Sequence, residues 1–274
     1  MTLSRSKIIM AISTAGGYAM LKKELHRAYK LERCAIRQTF KLQKQQIKEH
    51  YQEQLRLYLN AKPITDSTPK RSVLEEIGNS ITHGVGAILS VLAFLAMLFT
   101  ADNALEYTAA SLYFFGLFTT CTISCLYHAF AYGSKVKRVF RRFDYCCIYL
   151  LIGATFAPLL LCYIGGAYGI AFFIVQWSII VLGITLVSVF GPARVRGLHY
   201  TLYLTLGWSA LLFLPQMIER DIWFFLFILL GGVIYSLGII PFLIKKKSAH
   251  FIWHFFVLFG AAAQWVGIYL FLYL

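Results

Sequence analysis

Seven long apolar segments occupy the chain from about residue 80 to its end. Each is close to the ~20 residues that a helix needs to cross the hydrocarbon core of a bilayer. Helices suit this task because they satisfy their own backbone hydrogen bonds where no water is present. A chain that is 59% hydrophobic and only 14% charged is also too apolar for a soluble domain. We therefore predict an all-α, polytopic membrane protein with seven transmembrane helices. The segments cover approximately residues 81–100, 108–130, 144–162, 170–190, 199–217, 222–243 and 250–273.

Basic residues in the short connections indicate the orientation. Ten of them follow the second, fourth and sixth segments, whereas Arg220 is the only one in the connections on the other side. Connections rich in Lys and Arg remain in the cytoplasm. We expect these connections and the N-terminus to be cytoplasmic and the C-terminus to lie outside. The ten residues are Lys135, Lys137, Arg138, Arg141, Arg142, Arg194, Arg196, Lys245, Lys246 and Lys247.

The sequence divides into a basic N-terminal extension, residues 1–72, and a seven-helix domain, residues 73–274. The extension carries 15 Lys and Arg against 5 Asp and Glu. Residues 21–60 lack Gly and Pro and repeat apolar residues at helical spacing, which predicts an amphipathic helix, and residues 61–72 are typical of a linker. A solvated helix or one on an anionic membrane surface is favoured over a helix that binds a specific partner. No basic–aromatic module points to nucleic acid, so membrane lipid is the expected partner.

A mildly apolar run at residues 8–20 resembles the front of a signal peptide. It is too short to span a bilayer. Cleavage there would place the basic extension outside the cell, against the charge pattern, and we therefore expect an uncleaved segment.

Two histidines, His250 and His254, open the seventh segment. Four residues apart on a helix, they lie on one face and suit two ligands of one metal ion. Histidines that meet lipid headgroups are the alternative. The predicted topology places His128, Ser124 and Asp144 at the same depth as this pair. Three histidines and a carboxylate at one level match a catalytic zinc site, which needs three protein ligands and one open position. Common depth does not establish that the helices are neighbours.

Each of these residues also has a simpler interpretation. His128 could be interfacial, Asp144 could pair with Arg141 or Arg142, and Ser124 could bond to the carbonyl of Thr120. His199 is expected to be interfacial, and His83 stays unassigned. The six cysteines show no CxxC motif and are typical of small buried hydrophobes. The Gly232/Ser236 pair predicts a close approach of helices, and prolines in three segments predict kinks or ends. These prolines are Pro158, Pro215 and Pro241.

Several motifs follow one another along the chain: Glu76-x-x-Asn79-x-x-Thr82-His83, Ser124-x-x-x-His128, Phe143-Asp144 with Ile148–Ile152, residues 231–238 and His250-x-x-x-His254. Together they resemble the signature of the hemolysin III proteins. This family belongs to one superfamily with the progestin and adiponectin receptors, which also includes alkaline ceramidases. The resemblance covers about residues 73–274, the bacterial branch is the most similar, and the extension before residue 73 is longer than usual there.

The resemblance implies seven helices and a zinc ion held by His128, His250 and His254. It also implies that Asp144 contacts the zinc-bound water. Ser124 is implied to contact the residues around the ion without binding the ion itself. Tyr145 stands where the bacterial members usually have histidine, so the tuning of the site is expected to differ. The residues Glu76, Asn79 and His83 receive no role from the sequence.

Three functions remain open at this point. The first is a zinc-dependent hydrolase of a lipid amide or ester, with its site near the cytoplasmic interface. The second is a receptor or membrane-homeostasis protein in which zinc is structural. The third is a pore, which the name hemolysin suggests; a pore predicts polar stripes along several spans, whereas the polar residues here concentrate at one end.

Overall fold

Seven helices long and apolar enough to cross a membrane follow one another in the structure, which confirms the predicted fold class. It is a computed structural model that describes residues 15–60, 68–244 and 246–274 of the 274-residue chain. Residues 8–14 of the signal-like run therefore lie outside the described residues. No strand occurs in the described ranges. The first to seventh spans are Val73–Thr100, Ala104–Ala129, Lys135–Ile164, Gly166–Phe190, Arg196–Arg220, Ile222–Leu243 and Ala249–Leu272.

Two spans begin earlier than hydrophobicity alone predicts. The first starts at Val73 instead of about residue 81, because Ser72 and Glu75 form a capping box that satisfies free backbone donors. The third starts at Lys135 instead of about residue 144, with the Ser134 side chain accepting a hydrogen bond from the N–H of Lys137. The added turns are polar, and they carry residues that approach the cluster of histidines.

Prolines mark irregular backbone in two spans. Pro158 ends the α-helical part of the third span, which continues as a π-helix over Leu159–Ile164. In the fifth span a 3₁₀ segment, Ser209–Phe213, precedes a short helix with Pro215 in its first turn. Both breaks agree with the expectation that these prolines interrupt helices.

In the N-terminal unit, residues 1–63, the described residues form one long helix, Ala15–Asn60. Its sequence repeats every 11 residues, with Leu25, Ile36 and Ile47 at one place in the repeat and Tyr29, Phe40 and Tyr51 at another. Eleven residues make three helical turns with a drift of about 20°, so these side chains form a nearly straight apolar stripe. All six are exposed. Basic residues recur beside the stripe at Lys22, Arg33 and Lys44 and at His26, Arg37 and Lys48.

Within residues 64–274, the first span packs against the second and seventh spans, and the second packs against the third. The spans that carry His128 and the His250/His254 pair therefore both contact the first span, which their common depth in the membrane did not establish. The seventh span packs mainly on the sixth, but the close approach is at Gly231 and not at Gly232 as expected. A Cβ atom on Gly231 would lie 2.3 Å from Cγ of Gln264 and 2.9 Å from the carbonyl oxygen of Gly260, whereas one on Gly232 would meet nothing within 4 Å.

The two neighbouring glycines give a matched test of this packing. Gly231→Ala should lower the free energy of unfolding by about 1–3 kcal/mol, because the seventh span must move to admit the methyl group. Gly232→Ala should be neutral or stabilise by up to ~1 kcal/mol, because alanine favours a helix and the space is open. Reversible unfolding in mixed micelles measures both. Equal losses would contradict the assigned helix face.

Candidate metal centre

Three histidines from two spans meet at one end of the bundle. One ring nitrogen from each of His128, His250 and His254 lies within 4.8 Å of the others. The Nε2 atoms of His128 and His250 are 3.3 Å apart. His128 and His254 are buried and His250 is half-buried. Three imidazoles at this spacing match the ligand set of a catalytic metal site that leaves one position open.

The remaining ring nitrogens of two of these histidines are held by the first span. Nδ1 of His128 lies 2.5 Å from a carboxylate oxygen of Glu76. Nδ1 of His254 lies 3.1 Å from the backbone carbonyl oxygen of Asn79 and 3.0 Å from the hydroxyl of Thr82. Since the carbonyl oxygen of Asn79 can only accept a hydrogen bond, Nδ1–H of His254 is the donor. An Nδ1–H donor leaves the lone pair on Nε2, which is the arrangement a metal ligand requires.

These contacts explain a first-span motif to which the sequence assigned no role. Glu76, Asn79 and His83 are separated by three and four residues, so they share one helix face. That spacing was visible in the sequence, but the sequence did not show that His128 and His254 lie opposite this helix face. His83 stacks on His254 with ring centroids 3.8 Å apart and 13° between the planes. Neither ring nitrogen of His83 has a hydrogen-bond partner among the described residues.

Asp144 and Ser124 lie beside the three histidines without joining them. Both line a cavity of about 140 Å³ that His250 and His254 also line. The Ser124 hydroxyl is hydrogen-bonded to the Asp144 carboxylate, and Arg141 is close enough to act on that carboxylate electrostatically. Ser124 therefore contacts Asp144, a partner that the sequence did not predict. Asp144 has room in front of it for a small molecule.

The cavity extends from the histidines into the apolar interior. Its deep end is reached by Gln264 of the seventh span, whose amide donates to the carbonyl of Ile228. Tyr145 also lines it, and the Tyr145 carbonyl accepts a hydrogen bond of 2.9 Å from Tyr203. Aromatic rings dominate the wall, with Tyr200, Tyr203, Trp208, Tyr235, Phe242 and Trp253 among the lining residues.

One sequence expectation for this end of the bundle is wrong. His199, expected at the lipid interface, is fully buried. Its Nδ1 is 2.9 Å from the hydroxyl of Tyr149 in the third span. A partner inside the protein replaces the headgroup contact, because helix–helix packing covers the side chain. His199 belongs to none of the described groups whose spacing fits a metal ion.

Comparison with known proteins identifies the family of this chain. The model of the family described as "Haemolysin-III related" matches residues 71–265. The chain belongs to the haemolysin-III-related family. It is 34% identical to "Hemolysin-3" of Bacillus cereus over 195 residues, covering 69% of this chain and 88% of that protein. It is 32% identical to "Hemolysin-3 homolog" of Bacillus subtilis (strain 168) over 198 residues, covering 70% and 92%.

A more distant similarity extends beyond bacteria. Human "Monocyte to macrophage differentiation factor" is 26% identical over 233 residues, covering 81% of this chain and 95% of that protein. Family membership and seven apolar helices together identify a multi-pass protein of the cell membrane. The matches support the resemblance from which the site residues were expected.

The three histidines give a direct test with metal as the readout. We expect purified protein to hold about one divalent metal ion per chain, since one open site is formed. His254→Ala should lose most of it, because a buried ligand is removed. His199→Ala should retain it, because this equally buried histidine bonds to Tyr149 instead. Elemental analysis after gel filtration measures both, and equal retention in the two variants would refute the ligand set.

Proposed function

We propose that the protein is a zinc-dependent hydrolase that cleaves an amide or ester bond of a membrane lipid. One observation carries the proposal: Asp144 and two of the three clustered histidines, His250 and His254, line the same apolar cavity. The cavity offers room for an acyl chain, and its polar groups concentrate at one end. That end is where a carbonyl group at the head of the chain would lie.

The donor set fits zinc. Zinc is commonly bound by three histidines with a fourth position open, whereas magnesium and calcium prefer oxygen ligands. The ion would be held by His128, His250 and His254. Three neutral imidazoles leave its charge of +2 uncompensated, and the nearby Asp144 carboxylate offsets part of it. When bound, zinc supplies a Lewis acid that polarises a carbonyl and makes water more acidic.

The protein side chains would then handle one proton. Asp144 accepts a proton from the attacking water at its carboxylate, and the oxygen of that water forms a bond to the lipid carbonyl carbon. The proton moves to the departing amine or alcohol as the carbonyl carbon–nitrogen or carbon–oxygen bond breaks. The products are a carboxylic acid and an amine or alcohol. The hydrogen bond from Ser124 orients the Asp144 carboxylate, and the aromatic wall excludes bulk water.

The change Asp144→Asn separates this function from a receptor with structural zinc. It should leave the metal content near that of the wild type, because Asp144 is outside the three-histidine group. It should lower hydrolysis ~10²–10⁴-fold, because an amide does not accept the proton. The measurement is zinc content together with turnover of lipid analogues that carry a fluorescent acyl chain as an amide or an ester.

Lipid analysis of cells with and without the protein extends the same comparison to natural lipids. An Asp144→Asn protein with normal zinc and normal turnover would contradict the mechanism. If Asp144 only paired with Arg141, the change would alter stability and leave turnover unchanged.

The N-terminal helix, in the same proposal, lies on an anionic membrane surface. Its apolar stripe is exposed along the whole repeat, and basic residues flank it. Such a helix buries its apolar face among lipid headgroups, and each Lys or Arg near an anionic surface contributes ~1 kcal/mol. The same positive charge opposes the alternative, in which the stripes of two copies pack together.

A nitroxide label tests this placement in the full chain. A label at Ile36→Cys, on the stripe and with Cys34→Ser, should be shielded from a water-soluble paramagnetic reagent in nanodiscs that contain phosphatidylglycerol. A label on the natural Cys34, about 160° away around the helix, should stay accessible. Equal access at the two sites would refute surface binding, as would shielding that persists in phosphatidylcholine alone and coincides with short label–label distances.

A further inference from the structure

Lys137 is a fully buried cation that the proposed chemistry does not use. Its charge counted in the sequence as one of the cytoplasmic loop residues, but the side chain turns into the protein. Its Nζ atom lies 3.1 Å from one carboxylate oxygen of Glu76. Burial of an ammonium group is costly unless it is paired and hydrogen-bonded. The contacts of Lys137 are therefore what allow it to lie inside the protein.

The same ammonium group binds the end of the second span. Nζ donates to the backbone carbonyls of Tyr127 and Phe130 at 3.0 Å each, and it lies 3.4 Å from the carbonyl of His128. Carbonyl groups in the last turn of a helix have no partner within the helix, and a cation there also complements the helix dipole. Lys137 thereby fixes the backbone turn that carries His128.

Glu76 connects Lys137 to the imidazole of His128. One carboxylate oxygen faces Lys137 and the other faces Nδ1 of His128. With both oxygens engaged, the carboxylate has one orientation, and the ring it contacts is held with Nε2 towards His250. Lys137 thus acts on His128 at two points: on its main chain directly and on its ring through Glu76.

We propose that Lys137 is a positioning residue of the metal centre, which orients His128 through Glu76 and through the carbonyls at the end of the second span. This role rests on the metal site proposed above. Partners of metal-ligating histidines typically change metal affinity 10–100-fold when they are removed. If Lys137 only capped the second span, its removal would lower stability and leave metal affinity unchanged.

Metal affinity and stability, measured separately, distinguish the two roles. The variants are Lys137→Met, Glu76→Gln and the double substitution in the full-length protein. Affinity is measured by competition with a zinc chelator, and thermal stability is measured on the metal-free protein. Each single change should weaken zinc binding about 10–100-fold. The double variant should lose less affinity than the product of the two single losses, because Lys137 acts in part through Glu76.

Two matched controls come from the same loop. Lys135→Met removes the same charge from an exposed residue two positions away and should leave zinc affinity unchanged. Ser134→Ala removes the hydroxyl that caps the third span at the N–H of Lys137. It should lower the melting temperature without changing zinc affinity, because the contacts of the Lys137 side chain remain.

Lys137→Gln covers the case in which Lys137→Met does not fold. Glutamine retains hydrogen-bond donors for the carbonyls but removes the charge that pairs with Glu76, so zinc affinity should still fall. The visible absorption of the cobalt-substituted protein should change in the same variant, because it reports the geometry of the ligands. Wild-type affinity in either Lys137 variant would overturn the proposal.

Two further outcomes would also overturn the proposal. Losses that multiply in the double variant would show that Lys137 and Glu76 act independently. If the wild-type protein did not bind zinc, the proposed metal centre itself would be wrong. If the wild type bound zinc and the variants bound it equally well, only the role of Lys137 would be wrong.

Discussion

The hydrogen bond between the Glu76 carboxylate and the ring of His128 connects the clustered histidines to polar groups of the first and third spans. A polar side chain within a bilayer must find its partner in the protein, because lipid offers none. Here one carboxylate meets the ring of His128 and the ammonium group of Lys137. Three spans are thereby tied together at one end. Elsewhere the bundle packs mainly through apolar and small residues, with single polar contacts between helices such as that of His199 with Tyr149.

Polar groups concentrated at one end also shape the chemistry that the protein can support. An ionisable residue within a membrane protein is expensive, and it persists where it binds an ion or a substrate. The cavity meets the histidines at this end and is lined by aromatic rings beyond them. A lipid could enter with its chain among the rings and its carbonyl at the polar end. A soluble substrate would gain little from such a wall.

The sequence predicted the spans, the two helix faces that carry the histidines and the equal depth of Asp144, since these follow from period and charge. It could not predict which helices touch. For that reason Glu76 and Asn79 received no role, although their spacing placed them on one face. Lys137 was counted as a loop charge, because composition cannot distinguish a solvated lysine from one that turns inward to helix carbonyls. His199 and Gly232 were misassigned for the same reason, since helix rotation decides which side of a span faces a neighbour.

Two of the three clustered histidines, His128 and His254, are held by different kinds of partner. His128 is held by a side chain, Glu76, which one nucleotide change can remove. His254 is held in part by the backbone carbonyl of Asn79, which every amino acid at position 79 would still provide. A substitution at position 76 can therefore change how firmly the ring of His128 is held. The backbone contact of His254 is kept as long as the first span stays in place. Substitutions around the cluster can therefore change how firmly His128 is held while His254 keeps its position.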